Sequence, residues 1–212
     1  PISERLTRWS AHFSALAESA GASESPKTHR PFLAWREPET KRVEDLDTRT
    51  ASIDDRLWSA LAHPRDEGES CALDAVLSDI DPSADGPIRP QSDVSAIEVW
   101  TESELSALHA LSWSAQFAER PEVLARALRG CAWHIEHTQP DNATNHAWAV
   151  HLFAVIAERE ESDLSGEARL YAETLLHNCM VTSGVPDPLS ARILRDASEA
   201  IVRIDWGMAC AR

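Results

Sequence analysis

The sequence predicts an all-α fold. Apolar residues recur three and four apart along most of the chain, and no stretch sustains the apolar–polar alternation of a strand. Helix-start chemistry precedes several of the apolar stripes: Asp187-Pro188, Pro121, and Ser or Thr followed by an acidic residue. The expected arrangement is antiparallel helical hairpins, as an orthogonal or α/α-toroid-like bundle, with an extended proline-rich N-terminal arm.

The first helix is expected from Ser3 to Ala20. Leu6, Trp9, Phe13 and Leu16 share one stripe, and Gly21 stops it. Residues 22–51 carry Pro26, Pro31, Pro38 and many charges; they read as an extended arm that Phe32, Leu33 and Trp35 pin to the core. Ser52, with Asp55 three residues on, opens a short helix from Ile53 to Ala62. Another runs from Ser70 to Ile80, and Asp81 to Asp93, with Pro82, Gly86, Pro87 and Pro90, reads as a loop. Thr101 to Glu104 is a capping box for a helix reaching Ala118. Pro121 suits the first turn of a helix to Thr138. Pro140 to Thr144 is a turn, and Asn145 caps a helix to Glu160. Ser165 caps one ending at Gly184, and Asp187-Pro188 opens the last, to Ile204.

Residues 1–95 are therefore expected as N-terminal helices and an arm packing on a five-helix core, 96–212, within one structural unit. Pro140-Asp141 and Pro186-Asp187 each follow one helix and precede another, 46 residues apart (187 − 141). The likeness to α/α-hairpin architectures is one of topology alone, since no QxxDGxW-type repeat is present.

The formal net charge of −15 disfavours a nucleic-acid partner, because no Lys/Arg cluster offsets it. No apolar run has membrane-spanning length, and the four cysteines form no CxxC pair. A soluble, cytoplasmic protein with reduced thiols is expected, with a protein partner or self-association. With seven glycines there is no phosphate-cradling loop, and no cofactor is expected.

The densest chemistry lies between His134 and His151, which holds four of the nine histidines. Helical wheels place His134 on the flank of its helix and His137 beside Trp133 on the far face. His146 falls in a first turn, where the helix dipole disfavours a cation. His151 lies off the apolar stripe of the next helix. On the helix from Glu167, Glu173, His177, Asn178 and Tyr171 define or edge a polar stripe. The candidate acid–base groups are His134, His137, Asp141, His146, His151 and His177. Asn142, Asn145, Tyr171, Glu173 and Asn178 are candidate substrate contacts.

His134/His137 at i, i+3 and Glu173/His177 at i, i+4 are spacings that metal ligands can adopt, but no HExxH or paired ExxH motif supports them, and no metal site is assigned. Two functions compete. One is a helical protein acting by protein–protein binding or assembly, its histidines filling boundary positions between layers. The other is a hydrolase- or lyase-like enzyme with a His/Asp/Glu pocket at 134–151 and 173–178, with or without a metal. The first is preferred.

Overall fold

Helix periodicity governs the fold as expected: in a computed structural model every regular element among the described residues is a helix. The described residues are 1–21, 29–38, 51–62, 70–89, 96–138, 145–159 and 163–204. The helices are α1 (Ile2–Ser19), α2 (Arg30–Arg36), α3 (Ile53–Ala62), α4 (Ser70–Ser78), α5 (Ile97–Phe117), α6 (Pro121–His137), α7 (Val150–Ala157), α8 (Ser165–Asn178) and α9 (Pro188–Arg203). The fold class is all-α.

The centre is α5. Every residue from Leu105 to Ala115 is buried, so the helix has no solvent face over three turns. Such a helix must satisfy its own polar groups. Ser114 donates back to the Ala110 carbonyl, and Ser106 accepts the Trp58 indole N–H at 3.1 Å. α3 and α6 pack on α5, α2 packs on α3, α1 on α9, and α7 on α8. α5 and α6 approach closely at Gly130, where a Cβ would lie 2.5 Å from Leu108 Cδ2 and the leucine would have to shift.

Several starts and stops differ from the sequence reading, each for a local reason. Part of the arm is helical: α2 occupies 30–36, and Phe32 and Leu33 are buried, so the apolar pins do their work from a helix. α5 begins at Ile97, before the expected capping box. Thr101 lies inside it and donates to the Ile97 carbonyl at 2.9 Å. Glu104 is buried and accepts the backbone N–H groups of Ile88 and Arg89 at 2.6 and 2.9 Å. With the Arg126 guanidinium, which donates to the Gly86 and Pro87 carbonyls, it clamps the loop after α4. α7 begins at Val150 rather than at Asn145, because Ala149 takes a left-handed φ of 55°. α8 ends at Asn178, and turns fill the residues before Gly184. Asp187 caps α9 as expected, accepting from the Leu189 and Ser190 N–H groups at 2.8 and 3.2 Å.

Among the described residues no helix is long and apolar enough to cross a membrane.

Candidate functional site

The expected site residues do not gather in one place. His134 is fully buried in α6. Thr138 Oγ1 already donates to the His134 carbonyl at 2.8 Å, so it accepts from His134 Nδ1 at 3.1 Å; hydrogen-bond logic assigns the proton to Nδ1. Nε2 is then a buried lone pair without a partner, among the rings of Trp100 and Trp133. Burial, and then the nearby His137, push the His134 pKa down to about 3.

His137 is exposed and stacks on Trp133, with ring centroids 4.6 Å apart. Tyr171 is buried, its hydroxyl 2.9 Å from Thr138 Oγ1. Glu173 and His177 are exposed on α8, and Asn178 is half-buried at its end. Asn145 is exposed. Asp141 and Asn142 lie outside the described residues.

His151 is fully buried and belongs to a network built on α5. Ser112 Oγ donates to the His109 carbonyl at 2.8 Å, so it accepts from His151 Nε2, also at 2.8 Å. Burial, reinforced by His109, holds His151 well below the usual histidine pKa. His109 Nδ1 accepts the Ala149 N–H at 3.2 Å, which places its own proton on Nε2. That atom is 3.0 Å from Asp196 Oδ2, an electrostatic contact rather than an aligned hydrogen bond. Asp196, fully buried on α9, also receives the Trp113 indole N–H at 2.5 Å and has Arg36 Nη1 2.9 Å from its other oxygen. A substrate cannot reach these groups, but they order the backbone beside one that it can reach.

That second place is a corner where five segments meet. His146, in the turn before α7, has Nδ1 2.7 Å from Glu102 Oε1. His29, the residue before α2, has Nε2 3.3 Å from the same oxygen. The Trp148 indole N–H donates to it at 2.7 Å. On the far side of His146, Nε2 lies 3.9 Å from Oδ1 of Asp187, the α9 cap. Asp54, in the first turn of α3, is buried and acts electrostatically on His29; its Oδ1 has no hydrogen-bond partner. The three central side chains are reachable by solvent, with His29, Glu102 and His146 22%, 20% and 26% exposed.

Partial burial would raise the Glu102 pKa, but hydrogen bonds from His146 and His29, the His146 charge and the Trp148 N–H overcome it and bring the carboxyl to about 2. For His146, burial pulls the pKa down, while the Glu102 hydrogen bond and charge, with Asp187, more than restore it; the net shift is upward. The corner therefore holds a firmly ionised carboxylate against an imidazole that retains its proton at higher pH than usual. Its wall is aromatic. Trp148 packs against His29 (5.3 Å between centroids), Phe32 (4.9 Å), Trp58 (6.1 Å) and His109 (5.8 Å).

The backbone is held unusually at two points here. His29 (φ 54°) and Ala149 (φ 55°) both adopt the left-handed region, which costs a non-glycine residue roughly 1–2 kcal/mol. The His109 ring secures the Ala149 N–H, so the buried network fixes the turn that carries Trp148 and His146.

Of the sequence candidates, only His146 stands in this corner. His29 and Glu102 were missed. His29 sits in what reads as a linking arm and Glu102 within an expected capping box, and their partners are 73 and 44 residues or more away in sequence (Glu102–His29 and Glu102–His146). Comparison with protein-family models, curated proteins and solved structures finds no match to this chain.

Proposed function

We propose that the chain is an acid–base enzyme of the hydrolase or lyase type, working at the corner of His146, Glu102 and His29. The observation that carries this reading is the convergence of two imidazoles on one carboxylate oxygen, at 2.7 and 3.3 Å, in a place solvent can enter. Proton transfer in a transition state needs groups of this kind within hydrogen-bond reach, with pKa values displaced toward their tasks. Protonated His146 is the general acid, delivering its proton to a leaving oxygen or nitrogen. Glu102 remains ionised throughout and stabilises the imidazolium. His29 takes a proton from water or from a substrate carbon. Trp148, fully buried beneath these groups, holds Glu102 in place through its indole N–H.

The test is a panel of chromogenic esters, phosphoesters and glycosides, with β-elimination substrates, run on the full chain. Turnover of one class is expected, falling by about 10²–10⁴-fold in Glu102→Gln and unchanged in His137→Gln. No class turned over above the Glu102→Gln level would refute the reading.

Assembly, the function preferred from sequence, is favoured by one observation. Ile97 and Val99 stand exposed on the first turn of α5, at 41% and 58%. A chain that stays monomeric by light scattering at high concentration removes that support.

A further inference from the structure

The same corner has the donor set and the spacing of a transition-metal site. We propose that His29 Nε2, Glu102 and His146 Nδ1 bind one divalent first-row transition ion of the zinc class, leaving a coordination position open to solvent. This inference shares its residues with the acid–base reading, but does not require the protein to be an enzyme.

The ligand atoms of the three side chains all lie within 4.8 Å of one another, and among the described residues no other group of three does so. Two imidazoles and one carboxylate are borderline ligands, suited to zinc, iron or manganese and unlike the all-oxygen shells of calcium or magnesium. In a tetrahedral zinc site with bonds near 2.0–2.2 Å, neighbouring ligands stand roughly 3.3 Å apart. His29 Nε2 and Glu102 Oε1 are already 3.3 Å apart. His146 Nδ1, at 2.7 Å from Glu102, would have to open by about 0.6 Å, while its separation from the His29 ligand atom stays within 4.8 Å. On binding, the proton His146 Nδ1 shares with Glu102 leaves for solvent and the ion takes its place.

Outer groups stand near the ligands. A metal-bound histidine characteristically offers its other ring nitrogen to a carboxylate, which sets its orientation. His146 Nε2 lies 3.9 Å from Asp187 Oδ1, an electrostatic contact longer than a hydrogen bond, and Asp187 is held in place because it caps α9. The Glu102 carboxylate is oriented by the Trp148 N–H. Asp54, buried with its pKa pushed up by that burial, acts on His29 only electrostatically and has one oxygen without a hydrogen-bond partner. The ionised Glu102, with Asp187 beside His146, makes the corner one where a dication is electrostatically favoured. The left-handed backbone at His29 is the conformational cost of aiming that ring at Glu102 from the start of α2.

The experiment is zinc titration of the chelator-stripped full chain against a chromophoric competitor, with elemental analysis after dialysis and cobalt substitution to read ligand geometry. One ion per chain is expected. Glu102→Gln and His29→Gly should weaken binding by more than the roughly 10–100-fold that losing an outer hydrogen-bond partner costs. His29→Gly matters most, because glycine accepts φ 54° without strain; circular dichroism checks that the variant is folded. Asp187→Asn retains the helix cap but loses the charge facing His146, and should fall within that 10–100-fold range. His137→Gln and His177→Gln should bind as the parent does. Sub-stoichiometric zinc in the parent chain, or equal affinity in the folded His29→Gly and Glu102→Gln variants, overturns the proposal. Stoichiometric zinc without turnover of any substrate would refute the acid–base reading and leave the metal site standing. Turnover that survives stripping, with no zinc bound, would do the reverse.

Discussion

Replacing His134 by asparagine separates a packing histidine from a reacting one. The side chain is fully buried, donates through Nδ1 to Thr138 and keeps its other nitrogen dry. Its folded pKa, about 3, lies below the ordinary 6.5 of the unfolded chain. A depressed folded pKa means the stability from this residue is fully present above pH 6.5 and drains away as pH falls toward 3, because the unfolded state takes up a proton that the folded state refuses. The slope is about 1.4 kcal/mol per pH unit, and the whole interval is worth about 5 kcal/mol. Asparagine can keep the donor to Thr138 without the titration. Between pH 7 and pH 4.5, the parent should therefore lose about 2.5 kcal/mol more than His134→Asn. With a urea slope near 2 kcal/mol per molar, that is a relative midpoint shift of about 1 M. Urea unfolding followed by far-UV circular dichroism at the two pH values measures it. Midpoints that move in parallel would mean His134 is protonated in the folded state or reached by water, and the tautomer argument would fall with them.

Other outcomes follow from the packing. Arg36→Met leaves Asp196 buried without its guanidinium and should cost about 3–5 kcal/mol in chemical denaturation; a loss under about 1 kcal/mol would show that the Trp113 and His109 contacts suffice. Gly130→Ala gains helix propensity but drives a methyl into Leu108, and a net loss of about 1–2 kcal/mol is expected; a variant that melts higher than the parent would mean α5 and α6 can separate freely. Asp187→Ala should lower stability by about 1 kcal/mol, and Asp187→Asn by far less, since asparagine caps as well as aspartate; equal losses would assign the effect to charge rather than capping.

Fold class, and most helices to within a few residues, were legible because one apolar face repeats at helical spacing. Leu6, Trp9 and Phe13 on α1 are buried as their spacing requires, and Asp187-Pro188 opens α9. Local signals misled where tertiary contacts had another use for the same groups. Glu104 looked like half of a capping box, but its carboxylate holds the backbone of Ile88 and Arg89. Asn145 looked like a cap, but the chain turns through Ala149 first. The histidine-dense stretch from His134 to His151 pointed to a real neighbourhood, yet its members leave it in different directions. His134 enters the α6 interior, His151 enters the centre beneath α5, and His146 alone reaches the solvent-facing corner. His29 joins it across more than a hundred residues of chain, and no periodicity or capping rule records such an encounter.

The hydrogen bond from the Trp148 indole to Glu102 makes the corner its own optical indicator. An indole whose N–H is held by a carboxylate, and whose ring lies 5.3 Å from an imidazole, changes its emission whenever that carboxylate changes partners. Any ligand, proton or ion arriving at Glu102 is thus reported from inside the protein, without a label, as the fluorescence difference between the parent chain and Trp148→Phe.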